Sequence, residues 1–522
     1  MVFGSHKIFI SISLIFVLMV SPAAIAATAA TNSNSNSSSE LRASLPLTSV
    51  YYSSSLPGGQ PSPYCNVGST TKPAILMCYT PQDIKAAYNF PPAEGPFGLD
   101  GAGQTIVIVD AFGSPTVQSD LNIFDSTFGL PPTTIQIVCQ DHAPTCPNPM
   151  TTADEAGWTG EIALDTQYAH AMAPGAHIVL FVASNDDDLT LEQAVQSAVA
   201  MFPHSIISQS FGDPELDMIQ GTCFIPTNTP TGDCSPQYVR QTLATGEAAY
   251  QQAAREGTTV FASAGDWGAD NSALCPLAPD VPCGFTSANP AYPSSSPWVT
   301  AVGGTMGNPY YLFSIPTCNG FTCSTGLVKF LNTPSCQLDT ETPTATASCI
   351  PIGYGGEQVW NEPFIDAATG GAPSLFFQVP SYQYGLGLSS RATPDVSYNA
   401  AVDGGVLTYF GSASPAGFYI VGGTSAGSPQ WAAIAALADQ LAAQQHRGTI
   451  GFINPALYQI GHNPFLYQKD FHDITVGNNI VSSSPDQVGF YAQHGWDDAS
   501  GWGTPNVANL LPDLVFLTSP GR

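Results

Sequence analysis

The residue best suited to nucleophilic chemistry is Ser425, which stands in the run of small residues Gly-Gly-Thr-Ser-Ala-Gly-Ser-Pro at 422–429. The apolar stretch 431–443 that follows predicts a helix. Small residues let the backbone turn sharply, and the free amides and dipole at a helix N-terminus favour negative charge on a bound oxygen. The pattern is typical of a nucleophilic serine. The alternative interpretation is a turn that only starts a buried helix.

Two acidic residues offer the proton acceptor that such a serine needs. None of the nine histidines stands in a His-Gly-Thr-His segment, which the usual serine and histidine arrangement would require. Glu161 and Asp165 instead lie four residues apart in Gly-Glu-Ile-Ala-Leu-Asp, on one face of the helix that this segment predicts. Two carboxylates without a basic partner raise each other's proton affinity and can share a proton. An ordinary acidic helix face is the alternative.

A third carboxyl group, Asp266, follows the run 260–264, which predicts a strand that ends in a Gly-Asp turn. The carboxyl ends of strands in open α/β sheets line the crevice in which ligands bind. Ionised, Asp266 would repel an oxyanion, whereas protonated in acid it can donate a hydrogen bond to one. A residue that only stabilises the turn is the alternative interpretation.

Alternating strands and helices would position these groups. Short β-branched runs and helical stretches follow one another along the chain, which predicts an α/β fold with a parallel sheet flanked by helices on both faces. The predicted strands are 105–110, 177–182, 205–208 and 258–262, and the predicted helices are 191–201 and 239–256.

Acidic residues dominate the charge of the 522-residue chain. Asp and Glu number 39 against 11 Lys and Arg, which gives a formal net charge of −28 at pH 7. This balance argues against nucleic acid and anionic membranes as partners. Near about pH 4 many of the carboxylates are protonated and repel one another less, which favours an extracellular protein of an acidic habitat. A salt-adapted surface is the alternative.

Residues 1–26 predict a signal peptide. Lys7 precedes the apolar run 8–20, and Ala-Ile-Ala at 24–26 provides the small residues that a signal peptidase recognises. We expect a secreted, extracellular protein without a stable membrane span after cleavage, because the run is short for a bilayer. An uncleaved anchor is the alternative.

The rest of the chain divides by composition. Residues 27–72, rich in Ser, Asn and Pro, predict a flexible leader or short prosegment, and residues 73–522 predict one large domain.

The twelve cysteines favour local disulfides in an oxidising compartment over zinc, because no Cys-x-x-Cys occurs. Neighbours in sequence are Cys65/Cys78, Cys139/Cys146, Cys223/Cys234, Cys275/Cys283, and Cys318, Cys323, Cys336 and Cys349 within 308–352, a predicted disulfide-stapled insertion.

Together these segments resemble the sedolisins, the serine-carboxyl peptidases with a subtilisin-like fold. The resemblance runs from about residue 80 to residue 506. It implies that Ser425 is the nucleophile, Glu161 the general base, Asp165 its partner and Asp266 the oxyanion donor. The matching motifs are Gly-Glu-Ile-Ala-Leu-Asp (160–165), Ala-Pro-Gly-Ala (173–176), Ile-Ser-Gln-Ser-Phe-Gly (207–212), Ser-Ala-Gly-Asp (263–266), Tyr-Pro (292–293), Ser-Pro-Trp-Val-Thr-Ala-Val-Gly-Gly-Thr (296–305), Pro-Asp-Val (394–396) and Gly-Thr-Ser-Ala (423–426).

Asp110 ends the predicted strand 105–110 at a place where sedolisins often carry a glutamate beside the base. The resemblance implies a supporting role for it. A capping or turn residue is the alternative.

The segments 471–475 and 495–505 resemble the calcium loop of the same family. The resemblance implies one Ca²⁺ ion, bound by the side chains of Asp473 and Asp497 and by the carbonyl groups of Ile474, Gln493 and Gly495. Two carboxylates and several carbonyls suit calcium, which takes six to eight oxygen ligands. Gln493 departs from the glycine that is usual there. A metal-free hairpin closed by the two aspartates is the alternative.

The implied function is that of a monomeric, acid-active serine peptidase that acts on peptides and proteins through an acyl-enzyme. Two alternatives stand beside it: a neutral subtilisin-like hydrolase, and a noncatalytic surface or adhesion protein that retains a protease fold. About fifty residues separate the predicted cleavage site from the domain, fewer than the folded prosegment usual in the family.

Overall fold

A computed structural model describes residues 48–54, 56, 64–67, 75–95, 98–146, 148–220, 235–271, 287–307, 310–319, 322–330 and 349–518. All of them fall in one unit, 38–522. The predicted signal peptide, 1–26, lies outside the described residues.

The strands of the described residues are, in chain order, β1 (Thr48–Ser53), β2 (Tyr64–Asn66), β3 (Ile75–Tyr79), β4 (Thr105–Ala111), β5 (Gln136–Cys139), β6 (His177–Ala183), β7 (Ile206–Gln209), β8 (Asp213–Pro214), β9 (Thr259–Ser263), β10 (Ala291–Tyr292), β11 (Thr300–Gly307), β12 (Tyr310–Asn319), β13 (Thr322–Phe330), β14 (Cys349–Gly353), β15 (Glu357–Val359), β16 (Asn361–Glu362), β17 (Ala367–Ala368), β18 (Val396–Asn399), β19 (Gly405–Phe410), β20 (Gly417–Gly422), β21 (Phe471–His472) and β22 (Thr504–Pro505). The α-helices are α1 (Pro81–Ala87), α2 (Val117–Phe128), α3 (Ala153–Met172), α4 (Asp188–Met201), α5 (Glu215–Gln220), α6 (Pro236–Glu256), α7 (Gly427–Gln444), α8 (Asn454–His462), α9 (Pro464–Asp470) and α10 (Val507–Thr518).

The main sheet has eight strands in the order β15-β11-β9-β7-β4-β6-β5, with β18 also paired to β11. Its pairs are parallel except for β11 with β15. The predicted parallel α/β sheet is therefore confirmed, and the carboxyl ends of β4, β7 and β9 meet at one edge. Asp110 lies near the end of β4, and Asp266 follows β9.

Both faces of the sheet are covered, as the sequence predicts. Ile106 and Ile108 of β4 pack in one apolar cluster with residues of α3 and α7. Val107 and Val109 pack in a second cluster with residues of α4 and α6. Because side chains alternate along a strand, the continuous apolar run of β4 buries one set of side chains on each face.

A second sheet runs beside the nucleophile segment in the order β1-β20-β19-β3-β2. Strand β1 pairs antiparallel with β20, and Thr48 lies opposite Gly422. Part of the segment 27–72, for which a flexible leader is expected, therefore contributes strands to the domain. The runs that form β1 and β2 are short and lie among Ser, Pro and Gly residues, so their strand pattern is weak.

Two of the predicted disulfides are present and join residues close in sequence. Cys65 bonds Cys78 across β2 and β3, with Cα atoms 5.9 Å apart, and Cys139 bonds Cys146, with Cα atoms 5.5 Å apart. In the predicted insertion, β12 pairs antiparallel with β13 and β14. The other predicted cysteine pairings lie outside the described residues and side chains.

Among the described residues, no helix combines the length and apolarity that crossing a membrane requires.

Candidate active site

Helix α3 carries Glu161 and Asp165 into the interior. It begins with a capping box, in which the Thr152 hydroxyl accepts a hydrogen bond from the Glu155 amide while the Glu155 carboxylate accepts one from the Thr152 amide. Glu161 and Asp165 follow one turn apart, and both are fully buried. Burial of two adjacent carboxyl groups costs free energy unless they are neutral or paired, so their surroundings determine their protonation.

Ser425 sits in a tight turn between β20 and α7. Gly423 has a φ of 116°, which a side chain would disfavour, and Thr424–Ala426 form a single 3₁₀ turn before the helix begins. Ser425 is fully buried, and its Oγ has no hydrogen-bond partner among the described residues. The turn therefore leaves a hydroxyl at the helix N-terminus without a structural use for it.

Asp266 lies beside this turn, with one oxygen bonded and the other free. The amide and hydroxyl of Thr424 donate to its Oδ1 over 2.8 and 2.7 Å. Its Oδ2 is buried and accepts no hydrogen bond from the described part of the chain. The Asp266 carbonyl accepts from the Ala368 amide at 3.0 Å, which fixes the backbone. Burial raises the pKa of Asp266 to about 7, although the two Thr424 donors oppose the shift.

Asp110, Glu161 and Asp165 form a group of buried carboxyls. The Ser210 hydroxyl donates to Asp165 Oδ2 at 2.7 Å. The other Asp165 oxygen and both oxygens of Asp110 and of Glu161 lack partners in the described residues. Burial raises the pKa of Asp110 to about 8. Burial, and then the neighbouring carboxylates, raise the pKa values of Glu161 and Asp165 well above their usual range.

The Ser425 hydroxyl faces Glu161. As a donor it lowers the pKa of the Glu161 carboxyl, while the charges of Asp110 and Asp266 raise that pKa. The contact falls short of a well-formed hydrogen bond, because neither Ser425 Oγ nor either Glu161 oxygen makes one with any described residue. Catalytic hydrogen bonds are often long without substrate and tighten once it binds. The arrangement provides a hydroxyl between a proton acceptor and a carboxyl that is neutral in acid, which suits acyl transfer.

The fold thus brings together Ser425, Glu161, Asp165, Asp266 and Asp110. Two further residues, Thr424 and Ser210, contact the group and were not predicted as site residues. Both lie in motifs that the sequence shows, but their partners come from other elements of the fold, so spacing alone gives no signal for them. Buried His170 instead lies against the Pro131 carbonyl, with Nε2 2.8 Å from that oxygen.

The predicted calcium ligands also lie together. The Gly495 amide donates to Asp473 Oδ1 at 3.1 Å, and the Gln493 amide donates to Asp497 Oδ2 at 2.8 Å. Asp497 Oδ1 accepts from the Ser500 amide at 2.8 Å, so this aspartate also closes a turn. Within the described ranges, no group of three or more His, Cys, Asp or Glu side chains is arranged to hold a metal ion.

The donor chemistry of this loop fits calcium. No hydrogen bond among the described residues ends on the carbonyl oxygens of Ile474, Gln493 or Gly495. Two carboxylates and three free carbonyl oxygens are the oxygen ligands that Ca²⁺ prefers. Because both carboxylates also accept hydrogen bonds from the chain, a metal-free hairpin remains the alternative.

Comparison with known proteins adds independent findings. The model of the subtilase family matches residues 156–450. Kumamolisin of Bacillus sp. (strain MN-32) is 30% identical over 460 residues, which are 86% of this chain and 66% of kumamolisin. Human (Homo sapiens) tripeptidyl-peptidase 1 is 26% identical over 363 residues, 68% of this chain and 52% of that protein. The chain therefore spans roughly half to two thirds of these relatives' length.

A solved structure shares the fold. Pseudomonas sedolisin, a serine-carboxyl proteinase complexed with two molecules of pseudo-iodotyrostatin, superposes with a TM-score of 0.60. It is 25% identical, and the match covers 84% of this chain and 98% of that one.

Proposed function

Because the chain belongs to the sedolisin family, the serine-carboxyl peptidases of subtilisin-like fold, we propose that it is an acid-active peptidase that forms an acyl-enzyme on Ser425. The observation that carries this proposal is the buried Ser425 hydroxyl against the Glu161 carboxyl, next in sequence to Thr424, which bonds Asp266 and leaves its other oxygen free in the described residues. Peptides and proteins are the proposed substrates.

The first half of the proposed reaction forms the acyl-enzyme. Ser425 Oγ attacks the peptide carbonyl carbon while its proton passes to Glu161, in molecules in which the Glu161 and Asp165 pair holds one negative charge. The carbonyl oxygen becomes an oxyanion, and Glu161 then gives the proton to the leaving amine as the C–N bond breaks. Asp165 lies one helical turn from Glu161 and shares its proton, so it orients the base and limits the charge on it. In the second half, water attacks the carbonyl carbon of the acyl-enzyme while Glu161 takes its proton. Glu161 then returns the proton to Ser425 Oγ as the ester bond breaks, and the peptide acid leaves.

Asp266 is the proposed oxyanion donor. Its Oδ1 is occupied by Thr424, so the buried Oδ2 is the oxygen available to carry a proton toward the substrate. A donor placed in advance where charge develops lowers the barrier more than one that must reorient. Because burial raises the pKa of Asp266 to about 7, the group is neutral in acid and can donate there.

Asp110 has the proposed supporting role. It is fully buried with both oxygens unpartnered in the described residues, and its charge is felt by both Glu161 and Asp165. A neutral Asp110 leaves the pair free to hold one negative charge, whereas an ionised one would repel it.

The two alternative functions find less support. A noncatalytic protein would gain nothing from a buried group of hydroxyl and carboxyl oxygens without partners, since each such atom costs stability. A neutral hydrolase of the usual type needs a histidine bonded to the nucleophile. Ser425 Oγ faces the Glu161 carboxyl, and no histidine bonds it among the described residues.

The finer parts of the proposal rest on composition and on the C-terminal loop. We infer one Ca²⁺ ion, held by the Asp473 and Asp497 side chains and by the carbonyls of Ile474, Gln493 and Gly495. Such an ion would cross-link the loop and stabilise it. Secretion after cleavage of residues 1–26, and action as a monomer, complete the proposal.

Active-site labelling tests the function. The purified full chain, held at about pH 4 where Asp266 is neutral, is treated with a serine-directed fluorophosphonate and mapped by mass spectrometry. We expect the label on Ser425 and none in Ser425→Ala. Ser428→Ala is the matched control, because Ser428 lies in the same motif and its hydroxyl bonds Ser208 at 2.8 Å. Labelling of another serine, or peptide hydrolysis by Ser425→Ala at the wild-type rate, contradicts the proposal.

A further inference from the structure

Thr424 joins the nucleophile turn to the oxyanion carboxyl through a chain of hydrogen bonds. The Gly265 amide donates to Thr424 Oγ1 at 3.1 Å, and Thr424 Oγ1 donates to Asp266 Oδ1 at 2.7 Å. The Thr424 amide donates to the same Oδ1 at 2.8 Å. All three residues border the reacting group, and Thr424 itself is fully buried.

The direction of these bonds is fixed. An amide can only donate, so Gly265 makes Thr424 Oγ1 an acceptor. A hydroxyl carries one proton, and no acceptor other than Asp266 Oδ1 is found for it in the described chain. Asp266 Oδ1 therefore receives two donors and acts only as an acceptor.

This arrangement decides which oxygen of neutral Asp266 carries the proton. If Oδ1 were protonated, its O–H would have to bond Thr424 Oγ1, and the threonine hydroxyl would turn its own proton away from the one acceptor found for it in the described residues. A half turn of the carboxyl that brought the protonated oxygen beside Thr424 would have the same cost. The proton is therefore confined to Oδ2, the oxygen that is free of partners in the described residues.

We propose that Thr424 is a positioning residue that holds the Asp266 proton on Oδ2, directed at the oxyanion. The inference rests on the proposed function, because it assigns Thr424 an action through the oxyanion donor. Since Thr424 also precedes Ser425 in the same 3₁₀ turn, one residue aligns the nucleophile with the donor.

The test compares Thr424→Val, which removes the hydroxyl at nearly constant size, with Thr424→Ser, which keeps it. For the full-length protein on a peptide substrate, we expect Thr424→Val to lower kcat by roughly tenfold to a hundredfold, a part of what loss of a whole oxyanion donor costs, with KM little changed. Thr424→Ser should recover most of the rate. Thr424→Ala repeats the measurement without the branched side chain if the valine variant does not fold.

The pH profile separates positioning from mere loosening of the turn. The Thr424 hydroxyl favours the ionised form of Asp266, so its removal raises the pKa of that carboxyl. We expect the alkaline limb of the kcat profile to move to higher pH in Thr424→Val while the rate falls. A turn that loosened and admitted water would lose part of its desolvation, and the limb would move to lower pH.

A double-mutant cycle gives the decisive outcome. In an Asp266→Ala background, Thr424→Val should cost nothing further, because the residue through which it acts is gone. An equal loss of kcat in both backgrounds, or Thr424→Ser behaving like Thr424→Val, overturns the proposal. Failure of the proposed function would show differently, as wild-type protein that neither takes the fluorophosphonate on Ser425 nor hydrolyses peptides.

Discussion

At the scale of single residues, the site stands out because it breaks the usual rule for buried polar atoms. Most such atoms in folded proteins are hydrogen-bonded. Here Ser425 Oγ, Asp266 Oδ2 and both oxygens of Glu161 lie buried without partners in the described residues. These atoms cost stability in the free protein, and the oxygen of a bound peptide carbonyl could accept a hydrogen bond from protonated Asp266 Oδ2.

Asp266→Ala should therefore reduce kcat strongly. We expect a loss of roughly a hundredfold to a thousandfold, because an oxyanion donor is used only when charge develops on the substrate. Steady-state kinetics in acid measure it. Asp141→Ala, which alters an exposed aspartate, is the control and should retain the wild-type kcat. An Asp266→Ala enzyme as fast as the control would show that another group binds the oxyanion.

Motif reading could propose Ser425, Glu161, Asp165 and Asp266 because their local patterns carry chemistry. It could not identify Thr424 or Ser210. Their hydrogen bonds reach residues 158 and 45 positions away, so they depend on how β9, α3 and the nucleophile turn pack.

At the scale of elements, the loop between the predicted calcium ligands contacts the turn that follows Asp266. Asn479 is fully buried, and its carbonyl accepts from the Ala269 amide at 3.1 Å. Its side chain donates to the Gly371 carbonyl at 3.1 Å and accepts from the Phe490 amide at 2.8 Å. Stability of this loop therefore bears on the position of Asp266.

Calcium should raise the melting temperature at about pH 5, and a chelator should lower it, because a metal bound only to the folded state stabilises it. Asp497→Asn retains an oxygen for the turn at Ser500 but loses the charge, so we expect its melting to be insensitive to chelator. Asp486→Asn, an exposed change in the same loop, should respond like wild type.

Unchanged melting of the wild type on chelation would instead support the metal-free hairpin. The sequence proposes a ligand set by resemblance, and that set stays a prediction. It could not predict the packing of the loop on the Asp266 turn, because Asn479 and Ala269 are distant in sequence and lack any joint pattern. The same limit applies to β1, whose pairing with β20 is a long-range contact.

At the scale of the whole molecule, many carboxyl groups are buried, which raises their proton affinity. Burial is the main cause that raises the pKa values of several groups outside the site to about 7, namely Asp125, Asp188, Glu247, Asp439 and Asp470. The excess of 39 acidic over 11 basic residues leaves few cations to pair with them. Composition alone predicts an acidic habitat, which stays a prediction, and which carboxyls are buried depends on the packing.

Stability should therefore fall as pH rises. Below about pH 4 these groups are protonated in both folded and unfolded chains. Above that pH the unfolded chain releases these protons while the folded chain keeps them. The free energy of unfolding therefore declines until the pH passes the pKa values of the folded carboxyl groups, which are about 7. Buried His170, with its pKa lowered to about 4, acts in the opposite sense but is outnumbered.

Thermal melting from pH 4 to pH 8 in chelator checks this, because calcium binding would add a trend of the opposite sign. We expect the melting temperature to decrease across that range. A melting temperature that rises to a plateau near pH 7 would mean that the folded carboxyls are ionised and paired.

The most direct test of the central claim, that Ser425 acts between buried carboxyls in acid, is the pH dependence of kcat/KM for a peptide substrate, wild type beside Ser425→Ala. The account predicts a maximum in acid, below about pH 6, a decline as Asp266 ionises around its pKa of about 7, and no turnover by Ser425→Ala. A wild-type maximum at about pH 8, or comparable hydrolysis by Ser425→Ala, would contradict the account.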